Sequence, residues 1–237
     1  YVADTGNHRI VHLSAEGEVL GTWGSFADLA QGDAPGGTFN EPWDVAVAPD
    51  GTVYVADTWN HRIQHFTANG DFLDMFGTFG QGESPTAIWG PRSVAVDDEG
   101  RLYVSDTGNK RILVFDRQGE SVAEFGGPGC LSEPVGLSLA DDGTLYVADT
   151  WNMRIQGFRE SLPGQFEPSS EWTIEGWYGQ SLENKPYLAV SDDGQVCTSD
   201  SEGYRILCFT PDGEFILGWG AFGLLDTQFD LPSGVGF

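Results

Sequence analysis

The stretch from Tyr54 to Phe66, YVADTWNHRIQHF, recurs with few changes at five places in the chain. One aspartate marks the same position in every copy. It is residue Asp4, Asp57, Asp106, Asp149 and Asp200, at spacings of 53, 49, 43 and 51 residues. A recurrence of this length is typical of proteins that stack one supersecondary unit many times.

The complete unit, residues 41–77, contains four short apolar runs separated by turn residues. Pairs such as Asp50-Gly51 and Asn69-Gly70 are typical of tight hairpins, so each unit is predicted to be a four-stranded antiparallel meander. We expect the first strands to begin at Pro42, Pro91, Pro134, Pro186 and Pro232. A sheet this small cannot bury both faces alone, and radial stacking solves that problem. The sequence therefore predicts an all-β β-propeller with almost no helix.

The heptapeptides DTGNHRI, DTWNHRI, DTGNKRI and DTWNMRI, which follow YVA or YVS, make the chain resemble the NHL-repeat family. The resemblance implies a β-propeller, usually six-bladed, that serves as a binding or interaction module within a larger multidomain chain. About five repeats are present. We expect residues 1–237 to be a single propeller domain truncated at both ends, a fragment of a six-bladed ring.

The charge balance is strongly acidic, with 36 Asp and Glu against 11 Lys and Arg and a formal net charge of −25. Such a chain repels phosphate backbones, so nucleic acid is not an expected partner. No run approaches the ~20 apolar residues that span a bilayer, so we expect no direct membrane insertion in this segment.

An arginine follows each repeat aspartate by five residues. These arginines are Arg9, Arg62, Arg111, Arg154 and Arg205. An Asp–Arg pair across each turn is predicted to be structural, with a charge-assisted hydrogen bond and satisfied turn amides. The alternative is a ring of arginines that binds an anion. The turn asparagine, such as Asn60, is expected to adopt the left-handed conformation.

If the turn is centred on Trp59-Asn60, Tyr54 faces His65, and the same rule places Cys197 opposite Cys208. A cross-strand disulfide is then geometrically feasible. The alternative is two buried thiols. A disulfide would favour an extracytoplasmic or secreted protein, and the sequence does not otherwise fix the compartment.

The loops between blades and the turns after the second strands are predicted to lie at the same end of the propeller. Ligand-binding residues are predicted there among the aromatic side chains Trp59, Trp151, Phe26, Phe79, Trp89 and Phe222. Exposed aromatic residues suit a protein or small-molecule ligand. The alternative is that they fill gaps between blades beneath the loops.

No catalytic residue is predicted, because the chain lacks a nucleophile elbow or a phosphate-binding glycine loop. Two of the four histidines, His8 and His61, fall at turns, and His12 and His65 fall opposite tyrosines, so a zinc site is not expected. No cofactor is expected except calcium on the propeller axis, through carboxylates such as Asp44. The sequence favours a non-catalytic scaffold. The alternative is a metal-dependent lyase or a lactone or ester hydrolase with its site on the axis.

Overall fold

The computed structural model describes residues 1–82, 84–177 and 185–237. Their regular structure consists of strands and three-residue 3-10 turns, and the strands form five meander sheets, which we call blades I to V. The predicted all-β, β-propeller architecture is confirmed. Blade I comprises Val2–Asp4, Arg9–Leu13 and Val19–Trp23. Blade II comprises Pro42–Val47, Val53–Asp57, Arg62–Phe66 and Phe72–Phe76.

The remaining blades have four strands each. Blade III comprises Pro91–Val96, Leu102–Asp106, Arg111–Phe115 and Ser121–Gly126. Blade IV comprises Pro134–Leu139, Leu145–Asp149, Arg154–Leu162 and Gln165–Thr173. Blade V comprises Leu188–Val190, Val196–Asp200, Arg205–Phe209 and Phe215–Trp219. A short parallel pair, Thr78–Phe79 with Ala87–Ile88, lies in the loop between blades II and III.

The chain divides into two compact units, residues 1–124 and 125–237. The first contains blades I and II and almost all of blade III, and the second contains blades IV and V. The single domain over residues 1–237 stays a prediction.

The five sheets match the five repeats counted in the sequence, whereas the six-bladed ring and two strand starts differ from expectation. The described residues form five blades, so the six-bladed ring is not supported. Blade V begins at Leu188 rather than Pro186, and residues 232–237 form no strand. A proline has no amide hydrogen to donate to a ladder, so its presence alone does not fix where pairing begins.

The predicted strand register is confirmed, with Tyr54 opposite His65 and Cys197 opposite Cys208. The assignment of the left-handed conformation to the turn asparagine is wrong. Thr58–Asn60 forms a 3-10 turn, and the next residue, His61, has φ 55°. Its amide donates to the Thr58 carbonyl and closes the turn at 3.2 Å. The other four turns have the same left-handed position, which is filled by His8, Lys110, Met153 and Tyr204.

The core lies between neighbouring blades. The second and third strands of blade III are buried at every position. Two buried clusters show the pattern in the first unit. Between blades I and II the cluster is Ile10, Phe39, Val53, Val55 and Phe66. Between blades II and III it includes Ile63, Ile88, Leu102, Leu113 and Phe115. These cores leave the turns and loops at the ends of the strands to face outward.

Candidate functional site

A buried polar cluster fixes the loop that enters blade II. Its centre is Asp57, whose carboxylate accepts from Arg62 Nε at 2.7 Å and from the Asn40 amide at 2.7 Å. The Arg62 guanidinium continues into the loop, where Nη1 donates to the Ala34 carbonyl at 2.6 Å and Nη2 to that of Thr38 at 2.8 Å. In blade II the repeat pair therefore positions the entering loop, whereas in blade V Asp200 accepts a turn amide as predicted, from Gly203 at 3.2 Å.

Asn60 adds a second attachment to the same loop. Its side chain donates to the Ala27 carbonyl at 3.0 Å and accepts from the Leu29 amide at 2.9 Å. The side-chain amide also donates to Asp57, which links the turn to the buried cluster. The turn and the entering loop thus lie together.

The Asp–Arg pair recurs in every blade. The Nε to Oδ2 distances are 2.6 Å for Arg9–Asp4, 2.7 Å for Arg62–Asp57, 2.9 Å for Arg111–Asp106, 2.8 Å for Arg154–Asp149 and 2.7 Å for Arg205–Asp200. Arg111, Arg154 and Arg205 also donate to carbonyls of the loops before their blades. Burial raises the pKa of Asp57 and of Asp106, against the hydrogen bonds and arginines that lower it. Because guanidinium donors are engaged by carboxylates and loop carbonyls, this geometry does not favour the anion-binding ring.

The six aromatic side chains named from the sequence, which we call the loop aromatics, all reach solvent. Their exposed fractions range from 36% for Trp89 to 66% for Phe222. Exposed apolar side chains also occur on outer strands, such as Leu73 and Val122, so exposure alone does not distinguish the loop aromatics. The first unit carries Phe26, Trp59, Phe79 and Trp89, and the second carries Trp151 and Phe222.

Three of the loop aromatics rest on the left-handed residue of a turn. Ring centroids are 4.8 Å apart for Phe26 and His8, 4.6 Å for Phe79 and His61, and 4.9 Å for Phe222 and Tyr204. Both histidines are themselves held, because their Nδ1 atoms accept the amides of Glu41 and Gly90 at 3.0 Å. Burial lowers the pKa of His61, which the nearby Asp28 opposes, and the neutral ring is the form that can accept. These rings are exposed but held in fixed positions.

Trp59 is held by polar contacts that the sequence analysis missed. Its indole Nε1 donates to Glu41 Oε2 at 2.8 Å, and the buried Arg92 guanidinium lies 5.4 Å from its ring and 4.0 Å from that of Trp43. Blade IV has an analogous group, in which Lys185 Nζ lies 3.1 Å from Glu133 and 5.7 Å from the Trp151 ring. The available signal was the Glu-Pro pair at the start of the first strand in both blades.

Trp89 occupies in blade III the place that a turn tryptophan takes elsewhere. The Gly108 amide donates to the Trp89 carbonyl at 2.9 Å, as Trp59 donates to Asn40 and Trp151 to Ser132. The indole of Trp89 lies over Gly108, where an added Cβ would collide with it. Blades II, III and IV therefore each present one tryptophan beside the turn, from either the turn or the loop.

Asp44 lies on the first strand of blade II, where the sequence suggested an axial calcium ligand. One carboxylate oxygen accepts from Ser93 Oγ at 2.5 Å and from the Val94 amide at 3.0 Å, and the other accepts from the Val45 amide at 2.8 Å. Calcium takes six to eight oxygen ligands, whereas three donors already approach this carboxylate. Within the described residues, no group of three His, Cys, Asp or Glu side chains converges to hold a metal ion. The residues around Asp44 do not fit a calcium site.

Asp44 gives a pH-dependent stability. Burial raises its pKa from 3.8 to about 6, against the lowering effect of its hydrogen bonds. The folded state therefore retains a proton that the unfolded state has lost, and this contribution is present below 3.8 and lost as the pH rises through 6. Because the side chain is partly exposed, we expect the stability of the wild type relative to Asp44→Asn to fall by about 1 to 3 kcal/mol between these limits.

Urea unfolding of both proteins at several pH values measures this difference. Asp50→Asn is the matched control, because hydrogen bonds from Thr52 lower the pKa of Asp50 and the sign is reversed. A difference between wild type and Asp44→Asn that does not change with pH would contradict the assignment.

The remaining histidines and the cysteines have clear positions. His12 and His65 stack on Tyr1 and Tyr54, with ring centroids 4.1 and 4.2 Å apart. Cys197 and Cys208 form a buried cross-strand disulfide with a Cα separation of 4.1 Å. Cys130 is free, and its carbonyl accepts from Arg154.

Among the described residues, no helix is long enough to cross a bilayer.

Three of the repeats match a known family model. The family model described as the NHL repeat matches residues 39–66, 89–115 and 131–158. The chain contains NHL repeats. Each matched segment runs from the end of an entering loop into the third strand of its blade, so it includes the repeat Asp, Asn and Arg. No curated protein matches the chain.

Solved structures share the fold at low identity. A streptogramin B lyase structure is 16% identical, with a TM-score of 0.66, and the match covers 98% of this chain and 67% of the lyase chain. A chain of a nidogen/laminin complex is 17% identical, with a TM-score of 0.58 and coverage of 76% and 64%. A putative gluconolactonase is 17% identical, with a TM-score of 0.55 and coverage of 73% and 60%. These likenesses establish the propeller fold of the NHL repeats and nothing about their ligand.

Proposed function

We propose that this NHL-repeat chain is a non-catalytic binding module whose loop aromatics contact a protein or a small-molecule ligand. The observation that carries the proposal is the exposure of all six loop aromatics, together with the repeat hydrogen bonds that hold the loops of Phe26 and Phe79. Aromatic side chains in fixed positions give large contact area at low entropic cost, which is typical of binding hot spots.

The way each ring is held supports this proposal over gap filling. Phe26 and Phe79 remain 55% and 61% exposed although each has one face against a histidine. A side chain that only filled a gap between blades would lose most of its exposed surface. One face of each phenylalanine ring packs against the histidine, and the opposite face is exposed to a ligand.

The charge of the chain bears on the choice of ligand. A net charge of −25 disfavours nucleic acid and leaves proteins and small molecules as the partners. The Cys197–Cys208 disulfide is suited to an oxidising compartment, which supports an extracytoplasmic location as part of the proposal.

The proposal is tested with the double variant Phe26→Ser/Phe79→Ser. Ligands are selected on the wild type from a displayed library of random peptides and a panel of oligosaccharides. We expect the selected ligands to bind this variant at least roughly tenfold more weakly, as loss of a hot spot does. The matched control is Leu73→Ser/Val122→Ser, which removes two similarly exposed apolar side chains from outer strands. Equal weakening in both variants, or none in either, would overturn the proposal.

The second candidate function is a lyase or a lactone or ester hydrolase, and it is motivated by fold likeness to a lyase and to a putative gluconolactonase. Turnover of a panel of lactones and esters, with and without added zinc or calcium, separates the candidates. If the protein turns over a substrate and a chelator abolishes that turnover, the binding-module proposal is rejected in favour of a metal-dependent enzyme. We expect no turnover above the uncatalysed rate.

A further inference from the structure

A pair of tryptophans in the first unit shows how aromatic side chains of this chain hold a cation. The Arg92 guanidinium lies 4.0 Å from the centroid of the Trp43 ring and 5.4 Å from that of Trp59. Glu41 accepts the Trp59 indole N–H at 2.8 Å and so fixes one of the two rings. Two aromatic rings thus flank one guanidinium, as expected from the attraction between a cation and the face of an aromatic ring.

Phe79 and Trp89 form a second pair of rings in the loop that enters blade III. Their centroids are 6.4 Å apart and their planes are inclined at 86°, so the rings are two walls of a corner, which we call the Phe79–Trp89 corner. Both rings reach solvent. A cation attracted by a ring lies within about 6 Å of its centroid. The spacing of the two centroids therefore allows one cation to interact with both rings.

The Phe79–Trp89 corner is held by contacts within the first unit. Phe79 packs on His61 with ring centroids 4.6 Å apart. The indole of Trp89 lies over Gly108, and the Trp89 amide donates to Asp106 Oδ1 at 2.7 Å. A ligand would meet rings that are already in place, which lowers the entropic cost of binding.

Among the described side chains, none supplies a cation to this corner. No lysine or arginine of the described part of the chain lies over the Phe79 or the Trp89 ring. His61 adds no charge in its neutral form, in which its Nδ1 atom accepts the Gly90 amide at 3.0 Å. The corner therefore has two rings, like the pair around Arg92, without a guanidinium between them.

The surrounding loops favour a positively charged ligand. Residues 24–41 and 77–90 contain four acidic residues and no lysine or arginine. One of the four, Asp28, is near His61, because its charge opposes the lowering of the His61 pKa by burial. The net charge of −25 extends this attraction to cations over a longer range.

We propose that the Phe79–Trp89 corner binds an arginine side chain of a basic partner protein. The guanidinium would lie against both rings, as Arg92 lies against its two tryptophans. Arginine is favoured over lysine because its flat, weakly hydrated guanidinium stacks on aromatic faces. A corner with two walls does not enclose a small cation, whereas a side chain on a protein surface approaches it from the open side. The inference rests on the proposed binding function and names the chemical class of its ligand.

Two peptides measure the contribution of the charge. Both have one central residue flanked by glycine and serine. This residue is arginine in one peptide and citrulline, which has a similar shape and no charge, in the other. Binding is followed by NMR through the shift of the Gly90 amide signal, next to Trp89. Each ring contributes about two- to fivefold at an exposed site, so we expect the arginine peptide to bind about five- to thirtyfold more tightly than the citrulline peptide.

A variant without the rings separates their effect from that of the overall charge. Phe79→Leu/Trp89→Leu keeps the net charge, and we expect the affinity ratio of the two peptides to fall at least roughly fivefold. The matched control is Phe215→Leu/Trp219→Leu, which removes two rings of similar exposure, 62% and 43%, from an outer strand. This control should keep the wild-type ratio. Circular dichroism confirms that each variant is folded.

Asp28→Asn tests the carboxylate with both rings in place. Asparagine keeps a side-chain oxygen that can accept the Ala30 amide, as Asp28 does at 2.9 Å, so the loop retains this contact while the charge is lost. We expect the arginine peptide to bind this variant more weakly and the citrulline peptide to bind it as it binds the wild type.

Four results would each overturn the inference. They are no binding of either peptide, equal binding of both by the wild type, a ratio that survives in Phe79→Leu/Trp89→Leu, and unchanged binding of the arginine peptide by Asp28→Asn. The proposed binding function would stand after any of them, because the ligands in its own test are selected without regard to charge. That function fails only on the comparison of Phe26→Ser/Phe79→Ser with its control.

Discussion

Arg62→Ala is expected to lower the free energy of unfolding by about 3 to 5 kcal/mol, the range typical of breaking a buried ion pair from one side. Asp57 has no exposed surface and would keep its charge without the guanidinium that balances it. The Ala34 and Thr38 carbonyls would lose their donors at the same time. Unsatisfied buried groups add to the loss.

The repeat supplies a control with the same chemistry. Arg9 and Asp4 form the equivalent pair in blade I, but their side chains are 44% and 27% exposed. Water replaces the lost contacts there, so Arg9→Ala is expected to cost less than about 1 kcal/mol. Urea unfolding followed by tryptophan fluorescence measures both variants. Equal losses of unfolding free energy in the two variants would mean that burial does not determine how much the repeat pair stabilises the fold.

Removing the Cys197–Cys208 disulfide is expected to lower the free energy of unfolding by about 3 kcal/mol, the chain-entropy value for a loop closed by cysteines 11 residues apart. The bond replaces the tyrosine–histidine stacks of blades I and II at the same facing positions. The double variant Cys197→Ala/Cys208→Ala without reductant and the wild type with reductant should lose similar stability.

Two measurements distinguish a Cys197–Cys208 disulfide from two buried, reduced cysteines. Cys130→Ala leaves the disulfide intact, so reductant should destabilise it as much as the wild type. Thiol titration of the unfolded, unreduced wild type should count one free cysteine, Cys130. Three free thiols would contradict the disulfide and remove the support it gives to an extracytoplasmic location.

The repeat made the strands and their facing pairs predictable. The backbone conformation of the turns was not predictable in the same way. Facing pairs such as Tyr54 and His65 followed from the period of two along a strand and from the centre of the turn. The left-handed residue was missed because a 3-10 turn shifts that conformation from Asn60 to His61. Both a two-residue turn and this turn give the same register, so the facing pairs could not distinguish them.

The sequence identified the aromatic residues of the candidate site, but it did not identify the contacts that hold them in place. The loop aromatics could be named because aromatic residues in irregular loops stand out against the repeat. Their supports could not, since Arg92 and Lys185 come from the first strand of the next blade or the residues before it. The role of Arg62 was likewise predicted within its own turn, whereas its partners Ala34 and Thr38 lie 28 and 24 residues away.

The central claim is that the repeated residues hold the loops that carry the exposed aromatic rings. Hydrogen exchange of Asn60→Ala tests it most directly, because Asn60 accepts the Leu29 amide and donates to the Ala27 carbonyl beside Phe26. Asn7→Ala is the matched control, since Asn7 bonds to Asp4 in its own turn. We predict faster exchange around Leu29 in Asn60→Ala, with the strand Val53–Asp57 still protected and no change around Leu29 in Asn7→Ala. Unchanged exchange around Leu29 in Asn60→Ala, or equal acceleration in both variants, would contradict the account.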